Sequence, residues 1–164
     1  MFGRMVVDSM KFARESGELA DSIEVAKLLR LREELFEPRG LVTFKVKGLP
    51  QLRDKPALRV QVTADLVLKC QRCLGAVEFR ADTTRQLELV PASVVLADIA
   101  EEPDDIEQIH ADPELDVVTL IEDELLLGLP MAVAHPGGAC TLPAADRTGS
   151  PRTSPFEVLS KFKQ

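Results

Sequence analysis

Between Arg59 and Leu89 the chain alternates apolar and polar residues with a period of two, broken by Cys70-Gln71-Arg72-Cys73. Val60, Val62, Ala64, Leu66, Leu68 and Cys70 fall on one side, and Arg59, Gln61, Thr63, Asp65 and Lys69 on the other. Beyond the break, Val77, Phe79, Ala81, Leu87 and Leu89 oppose Glu78, Arg80, Asp82, Thr84, Gln86 and Glu88. Successive side chains of a strand point to opposite faces, so this pattern predicts two long strands with one buried face each. A short connection makes them an antiparallel hairpin with Cys70 and Cys73 at its tip.

Around that hairpin the pattern is more varied. Residues 8–15 predict a short helix, and Asp21-Ser22 reads as the N-cap of a second helix to about Glu34, with Val25, Leu28, Leu29 and Arg32 at helical spacing. Val42, Phe44 and Val46 alternate with Thr43, Lys45 and Lys47, as in a half-buried strand, and residues 48–55 read as a loop. The acidic stretch 97–114, with Pro103 and Pro113, predicts a mobile loop with room for one brief element. Asp116 should cap a helix to about Leu129 whose apolar face carries Val117, Leu120, Ile121, Leu125 and Gly128. Glu122 and Asp123 fall outside that face on a helical wheel. Glu124 lands inside it, where a carboxylate has to be covered by a basic partner or displaced to the edge.

A chain of 164 residues, 45% of them apolar, supports one core. The expected organisation is a single α+β domain over residues 1–142: an antiparallel sheet with a long hairpin carrying the Cys-x-x-Cys tip, packed with a few short helices. A flexible linker over 143–155 should follow, then a short C-terminal helix over 156–164 docking through Phe156, Leu159 and Phe162.

Charge is distributed unevenly behind the net −7: residues 1–85 carry 16 basic and 12 acidic side chains, and residues 86–146 carry none and 14. Such an acidic span repels a phosphate backbone and attracts a basic partner, or simply forms a solvated surface. Aromatic residues are 4% of the chain, with no Trp or Tyr, which argues against a platform for stacking unpaired bases. The absence of a signal-peptide-like or membrane-length apolar run predicts a cytoplasmic protein without membrane contact.

Three cysteines cannot all pair within one chain, which leaves metal binding, redox chemistry or plain reduced thiols. A Cys-x-x-Cys pair between strands has the geometry of a zinc knuckle, whereas redox pairs open a helix inside a βαβ unit. Zinc takes four ligands, and His135 and Cys140 complete the inventory as a Cys70, Cys73, His135, Cys140 set holding one structural Zn2+. His110 reads as an exposed bystander. The chain has no phosphate-cradling glycine loop, no Gly-x-Ser-x-Gly elbow and no His-Glu-x-x-His; a Cys73 nucleophile with His135 as base has no specific spacing behind it. Glu122-Asp123-Glu124 reads as a partner-binding acidic ridge rather than a Mg2+ site, because consecutive helical carboxylates diverge.

Cys70-Gln71-Arg72-Cys73-Leu74, then Glu122-Asp123-Glu124-Leu125-Leu126-Leu127-Gly128-Leu129-Pro130 with His135 and Cys140, then Ser154-Pro155-Phe156-Glu157-Val158-Leu159, together resemble the bacterial YceD family. The resemblance implies a non-enzymatic ribosome-biogenesis factor needed for synthesis, processing or stability of 23S ribosomal RNA, without catalytic residues or a small-molecule substrate. On that reading Glu122, Asp123, Glu124 and Arg72 would meet a basic ribosomal protein or assembly precursor. The more basic hairpin would face ribosomal RNA or another assembly component. The other classes open to the residues are a thiol-disulfide oxidoreductase using Cys70 and Cys73, and a zinc-stabilised interaction module.

Overall fold

The computed structural model describes residues 5–96 and 106–140. The expected linker at 143–155 and terminal helix at 156–164 lie outside the described residues, as does residue range 97–105.

The long alternation forms β5 (Lys55–Lys69) and β6 (Ala76–Val90), antiparallel and in register from Ala57 opposite Glu88 to Lys69 opposite Ala76. β4 (Leu41–Leu52) lines the other edge of β5, and β2 (Glu18–Glu24) lies antiparallel outside β4. β3 (Leu35–Glu37) continues that edge of β5 beyond the start of β4. β7 (Ile106–His110) pairs with β6 in parallel, so the six-stranded sheet is mixed rather than wholly antiparallel. β1 (Val6–Val7) and β8 (Leu115–Asp116) make a separate two-stranded ribbon.

Three short helices cover one face of the sheet: α1 (Ser9–Arg14), α2 (Leu29–Glu34) and α3 (Val117–Gly128). The core between helices and sheet holds Ala13, Leu31, Ile121 and Leu125 against Val42, Phe44, Val60, Val62, Leu66 and Leu87. Each fully buried leucine contributes roughly 1.5–3 kcal/mol over an exposed one, which makes this face the main source of stability. The opposite face presents Thr43, Lys45, Lys47, Arg59 and Gln61 to solvent. Among the described residues no helix is long and apolar enough to cross a membrane.

Two expectations change. Asp21 and Ser22 lie within β2, and the helix starts only at Leu29, after a single 3-10 turn at Val25–Lys27. Pairing with β4 overrides the local capping preference: Asp21 stands opposite Phe44 and Ile23 opposite Val42. Residues 48–55, read as a loop, belong almost entirely to β4 and β5. Arg53 and Asp54, at φ 48° and 67°, make a two-residue turn of the kind that matches the strand twist of a hairpin. Gly48 sits inside β4 because a Cβ there would run into the Phe12 carbonyl oxygen of α1. α1 is thereby held against the strand, and the Gly48 N–H donates to the Gly17 carbonyl at 2.7 Å.

Candidate metal centre

Six residues, 70–75, connect Lys69 to its cross-strand partner Ala76. The turn is held by the Cys70 N–H donating to Gly75 O at 2.8 Å and the Leu74 N–H donating to Cys70 O at 3.0 Å, with Leu74 at φ 60°. Gly75 borders the cluster: a Cβ there would stand at ordinary contact distance, 3.4 Å from Cys73 Sγ and 3.7 Å from His135 Cε1.

The second half arrives from the segment after α3. Asp116 caps α3 as expected, accepting from the N–H groups of Val118 and Thr119. At its other end Gly128 packs so closely on Thr83 that a Cβ would lie 2.9 Å from the threonine methyl. From there the chain turns back across the hairpin tip, where the Gln71 N–H donates to Val133 O at 2.8 Å. A 3-10 turn at Pro136–Gly138, with Gly137 at φ 63°, then places Cys140 beside His135.

The result gathers all four residues singled out from the sequence. The ligand atoms of Cys70, Cys73, His135 and Cys140 lie within 4.8 Å of one another, close enough to hold a metal ion. Cys70 Sγ is 3.6 Å from Cys140 Sγ, and His135 Nδ1 is 3.4 Å from Cys73 Sγ and 3.5 Å from Cys140 Sγ. His135 Nε2 lies 2.9 Å from the Ala76 carbonyl. A carbonyl only accepts, so Nε2 carries the proton and Nδ1 turns its lone pair toward the sulfurs, the usual outer-shell arrangement of a metal-binding histidine. All three cysteines are free thiols.

Cys70 is buried at the centre of the cluster. The Cys73 backbone N–H, aided by those of Arg72 and His135 and by the Cys140 thiol, outweighs burial and lowers its pKa to about 5. Burial and the neighbouring Cys70 sulfur push Cys140 upward. The pocket therefore stabilises thiolate at Cys70, the protonation state a metal requires. No helix follows the Cys-x-x-Cys pair, unlike the redox arrangement.

The acidic residues of α3 take up positions that the helical wheel did not indicate. Glu122, expected outside the apolar face, is buried: Oε1 accepts from the backbone N–H of Arg30 at 2.7 Å and of Leu31 at 3.1 Å, and Oε2 pairs with Arg30 Nε at 3.0 Å. Asp123 is half-exposed and holds Arg30 Nη1 at 2.6 Å. Glu124 is buried and covered from within the chain by Arg85, whose Nε is 3.8 Å away. Arg72 stands exposed at the hairpin tip. His110 is exposed, as expected, with Nε2 2.9 Å from Val94 O.

Fold and site together define a small α+β sheet protein whose central hairpin is closed at its tip by a Cys3His cluster. The chain belongs to the YceD family, described as "Large ribosomal RNA subunit accumulation protein YceD", whose model matches residues 58–163. A relative of that same name from Haemophilus influenzae (strain ATCC 51907 / DSM 11121 / KW20 / Rd) is 28% identical over 170 residues, spanning 98% of this chain and 95% of the relative. No solved structure matches the chain.

Proposed function

We propose that this protein acts in the accumulation of large-subunit (23S) ribosomal RNA as a non-enzymatic assembly factor that binds a basic ribosomal protein or precursor. Its membership of the YceD family carries the reading, since the match includes the hairpin, α3 and the metal cluster. Charge supports the partner class: between Gln86 and Asp146 there is no Lys or Arg. Within that span, a concavity of about 310 Å³ between α3 and β7 is lined by Glu107 and Asp123 with Leu120 and Leu127, above the buried Glu124. Acidic groups beside exposed leucine suit a basic segment with an apolar side chain to bury. In this reading Glu122 and Asp123 together fix α3 against Arg30, the half-exposed Asp123 keeps its open side toward the partner, and Arg72 offers a separate contact at the tip.

The metal is zinc, held by Cys70, Cys73, His135 and Cys140. Bonds of about 2.3 Å to sulfur and about 2.0 Å to nitrogen give tetrahedral edges of roughly 3.8 Å between sulfurs and roughly 3.5 Å between sulfur and nitrogen. Three of the six separations, 3.6, 3.4 and 3.5 Å, sit close to those values, and the full set lies within 4.8 Å. Its role is structural: it fastens residues 130–140 to the hairpin tip and so fixes the end of α3.

Co-sedimentation of the tagged protein with large-subunit precursors, at low and high salt, tests the binding. The expected result is salt-sensitive association with precursors; absence from them at low salt would refute it.

A further inference from the structure

We propose that the solvent-facing side of the sheet, centred on Lys45, Lys47 and Arg59, docks the phosphate backbone of folded RNA. Lys47 stands directly opposite Arg59 across the β4–β5 pair, and Lys45 opposite Gln61. Residues two apart on a strand share a face about 7 Å apart, and neighbouring strands lie about 5 Å apart, so the three cations form one compact patch. Glu18 stands opposite Lys47 and pairs with Lys45 at 2.8 Å, and Asp82 lies further along the same face opposite Thr63, while Lys47 and Arg59 have no ion pair within 4.0 Å among the described residues. Like charges directly opposite each other destabilise a sheet; Glu18 offsets this on the Lys47 side only, and an anion bridging Lys47 and Arg59 would relieve what remains.

The surroundings favour RNA over an acidic protein. Thr43, Gln61, Thr63, Thr84 and Gln86 frame the cations, a hydrogen-bonding set suited to phosphate and sugar, and the exposed apolar side chain on this face, Leu41, lies at the far end of β4 beyond Thr43. No aromatic residue interleaves the cations, so unpaired bases would find nothing to stack on, and the fit is to the backbone of paired RNA. The acidic residues of α3 lie on the helix-covered side, which orients the molecule with one face toward RNA and the other toward a basic protein.

This inference rests on the ribosomal reading only for its choice of RNA over other polyanions. Fluorescence anisotropy of the full chain with a labelled mixed-sequence RNA duplex, across roughly 50–200 mM KCl, tests it. Wild type should bind with a steep salt dependence. Lys45→Gln/Lys47→Gln/Arg59→Gln should bind about tenfold more weakly or worse, with a salt slope smaller by about three, and Arg59→Gln alone should lower the slope by about one. An equal charge change on the helix-covered side, Lys11→Gln/Lys27→Gln/Arg32→Gln, should leave affinity within about twofold. Thermal melting of the patch variants should be no lower than that of wild type. The proposal fails if wild type does not bind at the lowest salt, if both triple variants weaken equally, or if polyglutamate displaces the duplex as well as unlabelled RNA does. Normal large-subunit ribosomal RNA in a deletion strain would refute the ribosomal reading and leave the anisotropy result to decide this one.

Discussion

Glu122 of α3 serves as the acceptor at the start of α2, its carboxylate receiving both the backbone N–H and the Nε of Arg30, 92 residues earlier in the chain. The N-cap position of α2 is Leu28, which has no side chain able to accept, so the cap is supplied from another helix.

Removing that carboxylate should be costly. Glu122→Ala leaves the N–H groups of Arg30 and Leu31 without their acceptor, for an expected loss of about 1–3 kcal/mol. For a chain of this size each kcal/mol lowers the melting temperature by about 2–4 °C, and Glu122→Gln, which retains one acceptor oxygen, should lose less. Calorimetry of the two variants tests this; equal melting of Glu122→Ala and wild type would contradict it.

Glu124 should behave in the opposite sense. Burial raises its pKa above the ordinary 4.5, opposed by Arg85 and reinforced by Glu107 and Asp123. A raised folded value means that the fold prefers the protonated acid; the stability it contributes is full below the unfolded value and lost as pH rises through the folded one. Glu124→Gln, neutral at every pH, should therefore melt above wild type at about pH 7, with the gap closing at about pH 4. Melting curves at the two values check the sign, and a gap independent of pH would argue against it.

Gly48→Ala should destabilise the contact between α1 and β4, because the new methyl meets backbone rather than a movable side chain. Overpacking of this kind costs typically 1–3 kcal/mol, read as a lower denaturation midpoint in urea. A midpoint equal to that of wild type would show that α1 shifts freely.

Metal removal should act locally. The sheet and its helices form their own core, so chelation of the reduced protein should release residues 130–140 while the sheet persists. Hydrogen exchange should speed up at the Gln71 amide, which is bonded to Val133, and remain slow at Val62 in the sheet. Protein purified without chelator should hold about one zinc per chain, and Cys73→Ser should lose it. Metal-free protein with unchanged exchange at Gln71 would rule the clamp out.

The parts legible in the sequence are those with a strict period or a closed inventory. The β5–β6 hairpin shows because apolar residues recur at alternate positions through most of both strands, interrupted in β6 at Thr83 and Arg85, and the cluster shows because Cys70, Cys73, His135 and Cys140 complete a four-ligand set. β2 hides because it is an edge strand with Ile23 as its one fully buried residue, so no alternation marks it. The turn at Arg53-Asp54 hides because Arg53 takes a positive φ without the usual glycine. β7 hides because its parallel pairing with β6 is set by tertiary contact rather than by a turn. The positions of Glu122 and Glu124 depend on Arg30 and Arg85, which no helical wheel of α3 contains.

The most direct test of the account is the ratio of large- to small-subunit ribosomal RNA in cells lacking this protein. The ratio should fall and be restored by the wild-type chain, but only partly by Cys73→Ser; an unchanged ratio in the deletion strain would contradict the assigned role.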